Sequence, residues 1–544
     1  MIGKKLHEKA KEVHEIVENA KKQVDGSKKE EFLKMIEKEG WTLENFISYF
    51  GNTHFLWGSK NILTINPTDF CKEEGINDVE KFKKYLNTFS CKIGDQFENF
   101  ENPLSDNILF YKPIIKISDD SFFIPKADIL KYKLDSLLEY LLQDEKEKKT
   151  KTWISYDDAK SKYLENKTYE FFSRVFPQKY LYQNLFYKFE DKRSETDLVL
   201  IYDEKIFIIE SKSNHVPLSA KRGGITSLEH SLKKIIKKAY DQAVNVRMYI
   251  ESKDLVEFEN KKGEVILTIN SKETNFEFFY INVTLENLGS IGTNLKELDV
   301  LKSFTKNEYP WSVNLYDLDI ISDCIPEPAY FIHYLEQRIK AQNQNIFHSV
   351  EEIDFLGYYH KVGNFYRELL DPDLKASHIS IAPEYYDVLD KHYLFGEQKP
   401  ELVMPSTLDK LIKNMQKYHQ KGFTKITSLL LDFPQEQRKM ISKSIEEKFN
   451  KTVKTGKPDG ITSTLGVPFD IGFSYFTSST MTNFYQDCKK QMMRRKYQQK
   501  ITRWAMIGRN VEDKKNFATF FLYDKNSWKH DSEMEEEISR LFGS

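Results

Sequence analysis

The chain has 544 residues, of which 40% are hydrophobic and 30% charged, so it is long enough for about two to four globular domains. Its formal net charge of −2 provides no overall basic field, so an anionic polymer could bind only through a local basic patch. No apolar run approaches the ~18 residues of a membrane-spanning helix, and no signal peptide opens the sequence, which predicts a cytoplasmic protein without a membrane partner.

The cysteines argue against a zinc ribbon and a disulfide framework. All four are scattered without CxxC spacing, which suits a reducing compartment. Neither a GxxxxGK[ST] phosphate loop nor an HExxH motif occurs. The sequence therefore argues against an autonomous nucleotide-driven motor.

Residues 1–150 are predicted to form a helical or mixed N-terminal domain. Apolar residues at helical spacing predict one helix over residues 1–24 and a second over Lys29–Lys38. A strand pair is expected at Asn107–Ile117 and Ser121–Ile124, and the charged stretch Asp144–Thr152 is expected to be a linker.

Residues 151–300 are predicted to form an α/β domain in which helices cover a mixed central sheet. At its centre, two apolar runs flank the polar turn Asp203-Glu204-Lys205, a pattern that predicts a β-hairpin. The other expected elements are a helix at Asp157–Phe176, a strand at Leu181–Phe189, a loop at Ser213–Gly224, a helix at Ser227–Ile250, and strands at Glu264–Asn270 and Phe276–Val283.

The hairpin register decides which side chains meet. An even-length turn centred on Asp203-Glu204 sets Asp197 directly across from Glu210, with Lys212 on the same face. A three-residue turn would instead place Asp197 opposite Ser211, on the other face. Facing carboxylates destabilise a sheet unless a cation lies between them, and divalent cations prefer oxygen ligands. The alternative is a surface hairpin with an ordinary Glu/Lys pair.

The remaining chain is predicted to divide into two further domains. Residues 301–455 are expected to be mainly helical, and residues 456–544 to form a small α/β domain. The overall expectation is an α/β multidomain protein.

Asp197, followed after twelve residues by Glu210-Ser211-Lys212, resembles the PD-(D/E)xK nuclease superfamily, which includes many restriction endonucleases. A helix with a glutamate precedes the first strand and a crossover helix with a glutamine follows the hairpin, as in that superfamily. The resemblance covers ~130 residues and departs from the name-giving proline, which Thr196 replaces. It implies a restriction-endonuclease-like core.

The resemblance implies a Mg²⁺ site, with Mn²⁺ as a substitute, formed by Asp197, Glu210 and the carbonyl of Ser211. Lys212 would stabilise negative charge during phosphodiester hydrolysis. Glu170, on the preceding helix, is the candidate third acid and metal ligand, with Glu165 as its rival.

Gln242 is expected to face the active site from the crossover helix. The alternative is a core glutamine bonded to backbone. The position four residues later is Val246, so the QxxxY signature of the exonuclease branch is absent.

Basic residues offer two candidate phosphate-binding clusters. Lys221 and Arg222 lie in the loop expected to flank the site, and we predict that they bind nucleic acid. A second cluster either tracks a nucleic-acid backbone or is a solvated face; it comprises Lys489, Lys490, Arg494, Arg495, Lys496, Lys500 and Arg503.

The resulting expectation is a cytoplasmic Mg²⁺-dependent nuclease, with DNA favoured over RNA as the substrate, in the role of a prokaryotic restriction or phage-defence effector. The alternatives are a catalytically silent nucleic-acid-binding module and a protein-interaction scaffold. A homo-oligomer or a protein partner is compatible with each of them.

Overall fold

The structure is a computed structural model that describes residues 63–95, 108–125, 134–221, 223–298, 309–344, 347–365, 377–378, 383–466 and 469–542, with six isolated positions before residue 63. The two helices predicted over residues 1–38 therefore lie outside the described residues, apart from isolated positions. The chain divides into two compact units, Met1–Asp157 and Asp158–Ser544. Among the described residues, we find no helix with the length and apolar character needed to span a bilayer.

The first unit contains a small mixed sheet with strand order β1-β4-β3-β2. Its strands are β1 (Thr64–Ile65), β2 (Ser90–Lys92), β3 (Ile114–Ser118) and β4 (Ser121–Phe123), and its helices are α1 (Pro67–Glu73), α2 (Val79–Thr88), α3 (Leu134–Leu141) and α4 (Gln143–Glu147). The predicted strand pair is present as β3 and β4, although a short 3₁₀ turn replaces the start of the first strand. The predicted linker at Asp144–Thr152 is wrong, because α4 and the start of the next helix occupy it.

The second unit is built on a seven-stranded mixed sheet with order β11-β10-β7-β6-β5-β8-β9. Strands β5, β6 and β7 form an antiparallel meander, while β10 and β11 run parallel to β7. The strands are β5 (Leu181–Phe189), β6 (Lys192–Tyr202), β7 (Lys205–Lys212), β8 (Leu255–Glu259), β9 (Val265–Asn270), β10 (Glu277–Thr284) and β11 (Trp311–Asn314).

Helices cover both faces of this sheet. They are α5 (Lys151–Val175), α6 (Leu218–Lys221), α7 (Ile225–Leu232), a π turn (Lys233–Lys237), α8 (Lys238–Glu251), α9 (Ser290–Thr293), α10 (Leu315–Cys324) and α11 (Pro328–Gln344). One buried cluster joins Phe172 of α5 to Phe207 and Ile209 of β7, and a second joins Val246 of α8 to Ile208 of β7. Both faces of β7 are therefore buried, which explains its uninterrupted apolar run.

A helical region and a second sheet follow. The helices are α12 (Glu352–Val362), α13 (Pro383–Phe395), α14 (Ser406–Tyr418), α15 (Phe423–Asp432), α16 (Gln435–Thr455), α17 (Phe484–Gln499) and α18 (Ser532–Phe542). The two-residue strands β12 (Phe347–His348) and β13 (Ser377–His378) pair with each other. The last sheet has the order β14 (Asp459–Leu465), β15 (Ile471–Ser478), β16 (Arg503–Asn510), β17 (Phe520–Asp524).

The coarse prediction of a mixed α/β protein is confirmed, since mixed sheets alternate with helices. The buried core does not break at residues 300 and 455. Phe207 of the central sheet, Leu411 of α14 and Phe473 of β15 belong to one hydrophobic cluster.

The hairpin turn has the predicted even length. Tyr202 pairs with Lys205 and Leu198 pairs with Ile209, so Asp203 and Glu204 form a two-residue loop, with φ of Asp203 at 57°. The Asp203 carboxylate accepts hydrogen bonds from the backbone N–H groups of Gly422 (2.7 Å) and Thr424 (3.0 Å), at the start of α15. The turn is therefore docked on the helical region.

Candidate functional site

Asp197 and Glu210 meet where the β6–β7 ladder ends. The last paired residues are Leu198 and Ile209. The Asp197 carboxylate does not simply face Glu210 as predicted; its Oδ2 accepts a hydrogen bond from the backbone N–H of Ser211 at 2.7 Å. The predicted register is thus present along the ladder. At the end of the ladder, the Asp197 carboxylate takes the place of a backbone carbonyl as the acceptor for the Ser211 N–H.

A local break in strand alternation turns an additional side chain toward Glu210. Leu181 and Leu185 of β5 should share a face, yet they pack in clusters on opposite faces of the sheet. Between them, Asn184 has a φ of 51°. Asn184 lies across from Asp197, and these two residues are the pair that is missing from the β5–β6 ladder. As a result, Thr196 points to the same face as Glu210. Such irregularities often occur beside functional sites.

Glu210 is a fully buried carboxylate with two partners. The Thr196 hydroxyl donates to Oε1 at 2.8 Å, and Lys212 Nζ lies 3.2 Å from Oε2. Burial, together with the nearby Asp197, raises the pKa of Glu210 to about 8 despite Lys212. The site therefore has more carboxyl groups than its one lysine can stabilise in their ionised form.

Two more carboxyl groups add to this crowding. Burial and Asp197 raise the pKa of Glu165, on α5, to about 7. Burial and Asp197 also raise the pKa of Glu195, two residues before Asp197 on β6. Tyr187 of β5 is also near the site. Burial, together with the charge of Glu210, raises the pKa of Tyr187 to about 12.

The structure does not bring Glu170 into this cluster. Its carboxylate pairs with Lys167 (2.6 Å) and with Arg174, and the Arg174 guanidinium also contacts Asp319 of α10. Lys167 is accordingly the main cause that lowers the pKa of Glu170. The rival Glu165, on the same helix, is instead near enough to Asp197 and Glu195 for their charges to raise its pKa.

Two buried amide oxygens lie on the α8-covered face of the sheet without a hydrogen-bond partner in the described part of the chain. One is Oε1 of Gln242, on α8, which packs over β7. The other is Oδ1 of Asn282, which is directly beside Glu210 in the β7–β10 register. Unpartnered buried acceptors are costly and call for a donor or a cation.

The donor set fits a hard cation only in part. The N–H and C=O of one strand residue point to the same neighbour, so the Ser211 carbonyl points toward β6, where Asp197 accepts from the Ser211 N–H. Each carboxylate oxygen of Glu210 keeps a second lone pair. Within the described ranges, no three His, Cys, Asp or Glu side chains converge closely enough to ligate one ion. Asp197, Glu210 and the Ser211 carbonyl could hold Mg²⁺ with water completing its coordination.

The basic residues predicted to bind nucleic acid do not share one environment. Lys221, at the end of α6, forms an ion pair with Glu286, which also contacts His215 at 2.6 Å. Arg222 lies outside the described residues. In the C-terminal cluster, Lys496 is buried against Asp524 (2.6 Å), so that member does not belong to a solvated face.

Sequence reasoning missed several residues of the site. The buried side chains on α5 mark its inner face, and at 3.6 residues per turn Glu165 lies about 75° from its centre, whereas Glu170 lies about 145° away. The helical wheel could therefore have separated these two glutamates. The roles of Thr196 and Asn282 depend on the strand break and on long-range pairing, and neither has a local sequence signal.

No family model, curated protein or solved structure matches this chain.

Proposed function

We propose that this protein is a Mg²⁺-dependent nuclease with a restriction-endonuclease-like core. The observation that carries the proposal is the convergence of Asp197, buried Glu210 and Lys212 at the end of the β6–β7 hairpin. The antiparallel β5–β6–β7 meander, followed by helices and later by β10 parallel to β7, supports the same core; the connection to β10 also carries the β8–β9 hairpin, which lies at the opposite edge of the sheet.

The crowded carboxyl groups of the site suit a divalent cation. Glu165, Glu195 and Glu210 all have raised pKa values, for which burial is the leading cause. A bound cation would favour their ionised forms, and the two unpartnered amide oxygens could accept from its water ligands. Like-charge crowding of this kind is more typical of a functional site than of a structural hairpin.

Each residue has a role in the proposed reaction. When bound, Mg²⁺ would lower the pKa of the attacking water and neutralise charge on the phosphate. The Ser211 N–H holds the Asp197 carboxylate in place, and the Thr196 hydroxyl holds the Glu210 carboxylate. Lys212, only 11% exposed, presents its ammonium to the charge that develops on the phosphate. Glu165 orients the attacking water or receives a proton from it.

DNA is the favoured substrate, and a prokaryotic restriction or phage-defence role in the cytoplasm is the favoured setting. Both extend the proposal by analogy with the superfamily that the motif resembles. Mn²⁺ should replace Mg²⁺, since both accept oxygen ligands.

The test is cleavage of linear, circular and single-stranded DNA and of RNA, each with Mg²⁺ or with EDTA. Asp197→Ala, Glu210→Ala and Lys212→Ala should each reduce Mg²⁺-dependent cleavage by about a hundredfold or more. Glu165→Gln should weaken the apparent Mg²⁺ affinity by roughly 10–100-fold. Glu170→Gln, on the same helix, is the matched control and should leave both quantities unchanged.

Two outcomes would contradict the proposal. Unchanged cleavage in the three alanine variants would exclude this site as its source. Tight nucleic-acid binding without cleavage in Mg²⁺ or Mn²⁺ would instead identify a catalytically silent binding module.

A further inference from the structure

The last sheet of the second unit carries a groove of about 1010 Å³. Strand β14 and the end of β15 line one side, and α17 lines the other. No lining residue belongs to the carboxylate cluster at β6 and β7. The groove is therefore a separate feature of the same unit.

The groove exists because one face of β14 carries small side chains. Ile461 and Leu465 pack against the main core, with Ile461 also reaching the groove, and Gly460, Thr462 and Thr464 alternate with them and line the groove. Helix α17 packs on β16 and β15, while β14 is the edge strand. The space beside β14 is thus left between an edge strand and a helix.

The wall formed by α17 is basic. Lys490 and Arg494 lie one helical turn apart, about 6 Å along the axis, and Arg495 follows. Lys490 (3.1 Å) and Arg494 both contact Glu537 of α18. Arg494 Nε is buried and has no hydrogen-bond partner among the described residues. Asp487 also lines this wall, so the three cations Lys490, Arg494 and Arg495 outnumber the two carboxylates, Asp487 and Glu537, by one charge.

The opposite side supplies hydroxyl groups and little net negative charge. Asp459, at the start of β14, is paired with Lys448 (3.2 Å) and Lys451 (2.8 Å). The hydroxyls in the lining come from Thr462, Thr464, Ser478, Thr480 and Thr482. Hydroxyl, lysine and arginine donors are the groups that contact phosphate oxygens in protein–nucleic acid complexes.

We propose that this groove binds a single-stranded segment of nucleic acid, with its phosphates on Lys490, Arg494 and Arg495 and its backbone along the threonines of β14. The identity of the ligand as nucleic acid rests on the proposed nuclease function. The volume is at the upper end of single-ligand pockets, about 300–1,000 Å³, which suits several nucleotides of one strand rather than a duplex. The groove would hold a strand apart from the site that cleaves it.

The test is binding of a fluorescein-labelled single-stranded oligothymidylate to the full chain in EDTA, followed by anisotropy. Arg495→Glu should weaken binding by about tenfold or more and reduce the dependence of affinity on salt. Lys489→Glu is the matched control, because it makes the same charge change on the same helix outside the groove lining. Its affinity should stay within about twofold of the wild type.

A second variant removes space rather than charge. Thr464→Phe fills the groove from β14 and should also weaken binding, with thermal unfolding used to show that the fold is kept. Equal affinities for Arg495→Glu and Lys489→Glu, or unchanged binding by Thr464→Phe, would overturn the groove proposal. If the groove variants lose binding while the wild type cleaves no nucleic acid, the proposed nuclease function is refuted and the proposed binding groove is supported.

Discussion

At the residue scale, the buried acid of the site couples folding to pH. Burial raises the pKa of Glu210 to about 8, from 4.5 in an ordinary carboxyl group. Between these values the folded chain binds more protons than the unfolded chain, so the free energy of unfolding falls as pH rises. A metal-free protein therefore holds Glu210 ionised only at the expense of stability.

Glu210→Gln should remove this dependence. Between about pH 5 and pH 8, the wild type in EDTA should lose on the order of 1 kcal/mol per pH unit relative to the variant. Denaturant unfolding across this range measures the difference. Glu170→Gln should run parallel to the wild type, since the pKa of Glu170 is lowered rather than raised. Parallel curves for Glu210→Gln and the wild type would show that Glu210 is not a buried, proton-holding acid.

At the element scale, the central hairpin is held at its turn as well as along its strands. Asp203 accepts from two backbone N–H groups and from the Thr424 hydroxyl (2.7 Å), at the N-terminus of α15. Helix N-termini lack internal partners for their first N–H groups, so a carboxylate there both caps the helix and complements its dipole.

Asp203→Ala should lower the free energy of unfolding by about 1–3 kcal/mol more than Asp191→Ala. Both residues have a positive φ, near 60°, so the backbone strain of an alanine in the left-handed region is similar in the two variants. Asp191, in the β5–β6 turn, is fully exposed at its side chain and caps no helix in the described structure. Equal destabilisation would mean that the docking contributes nothing.

The elements also separate what local sequence can predict from what it cannot. The hairpin register follows from the lengths of two apolar runs around one turn, and the pairing of Tyr202 with Lys205 agrees with it. The altered direction of Thr196 depends on the αL conformation of Asn184 in another strand. The inward position of Glu165 was accessible from helical periodicity, whereas the placement of Asn282 beside Glu210 required knowing that β10 pairs with β7.

At the scale of the whole molecule, the central sheet and the C-terminal sheet share one core. Leu198 and Phe207 lie in the same cluster as Ile471, Phe473 and Ile507. The expectation of a separate C-terminal domain beginning at residue 456 came from a sequence pattern that does not reveal such shared packing. Elements that share a core are expected to unfold together.

A chain that ends after Thr455 should therefore fail to fold cooperatively between residues 158 and 455. Calorimetry and limited proteolysis should show a broad or missing transition and rapid digestion. A chain that ends after His530 is the control, because α18 contributes no residue to the buried core that the structure describes. A sharp transition in the shorter chain would show that the two sheets fold independently.

The docked turn of the central hairpin also determines where foreign sequence can be placed. Hairpin tips are usually the sites that tolerate insertions and protease nicks. The Asp203-Glu204 tip is partly buried, with Glu204 paired to Lys425, whereas the Glu190-Asp191 tip at the opposite end of β6 is exposed. Epitope tags or fluorescent reporters should therefore be accepted at the second tip and rejected at the first.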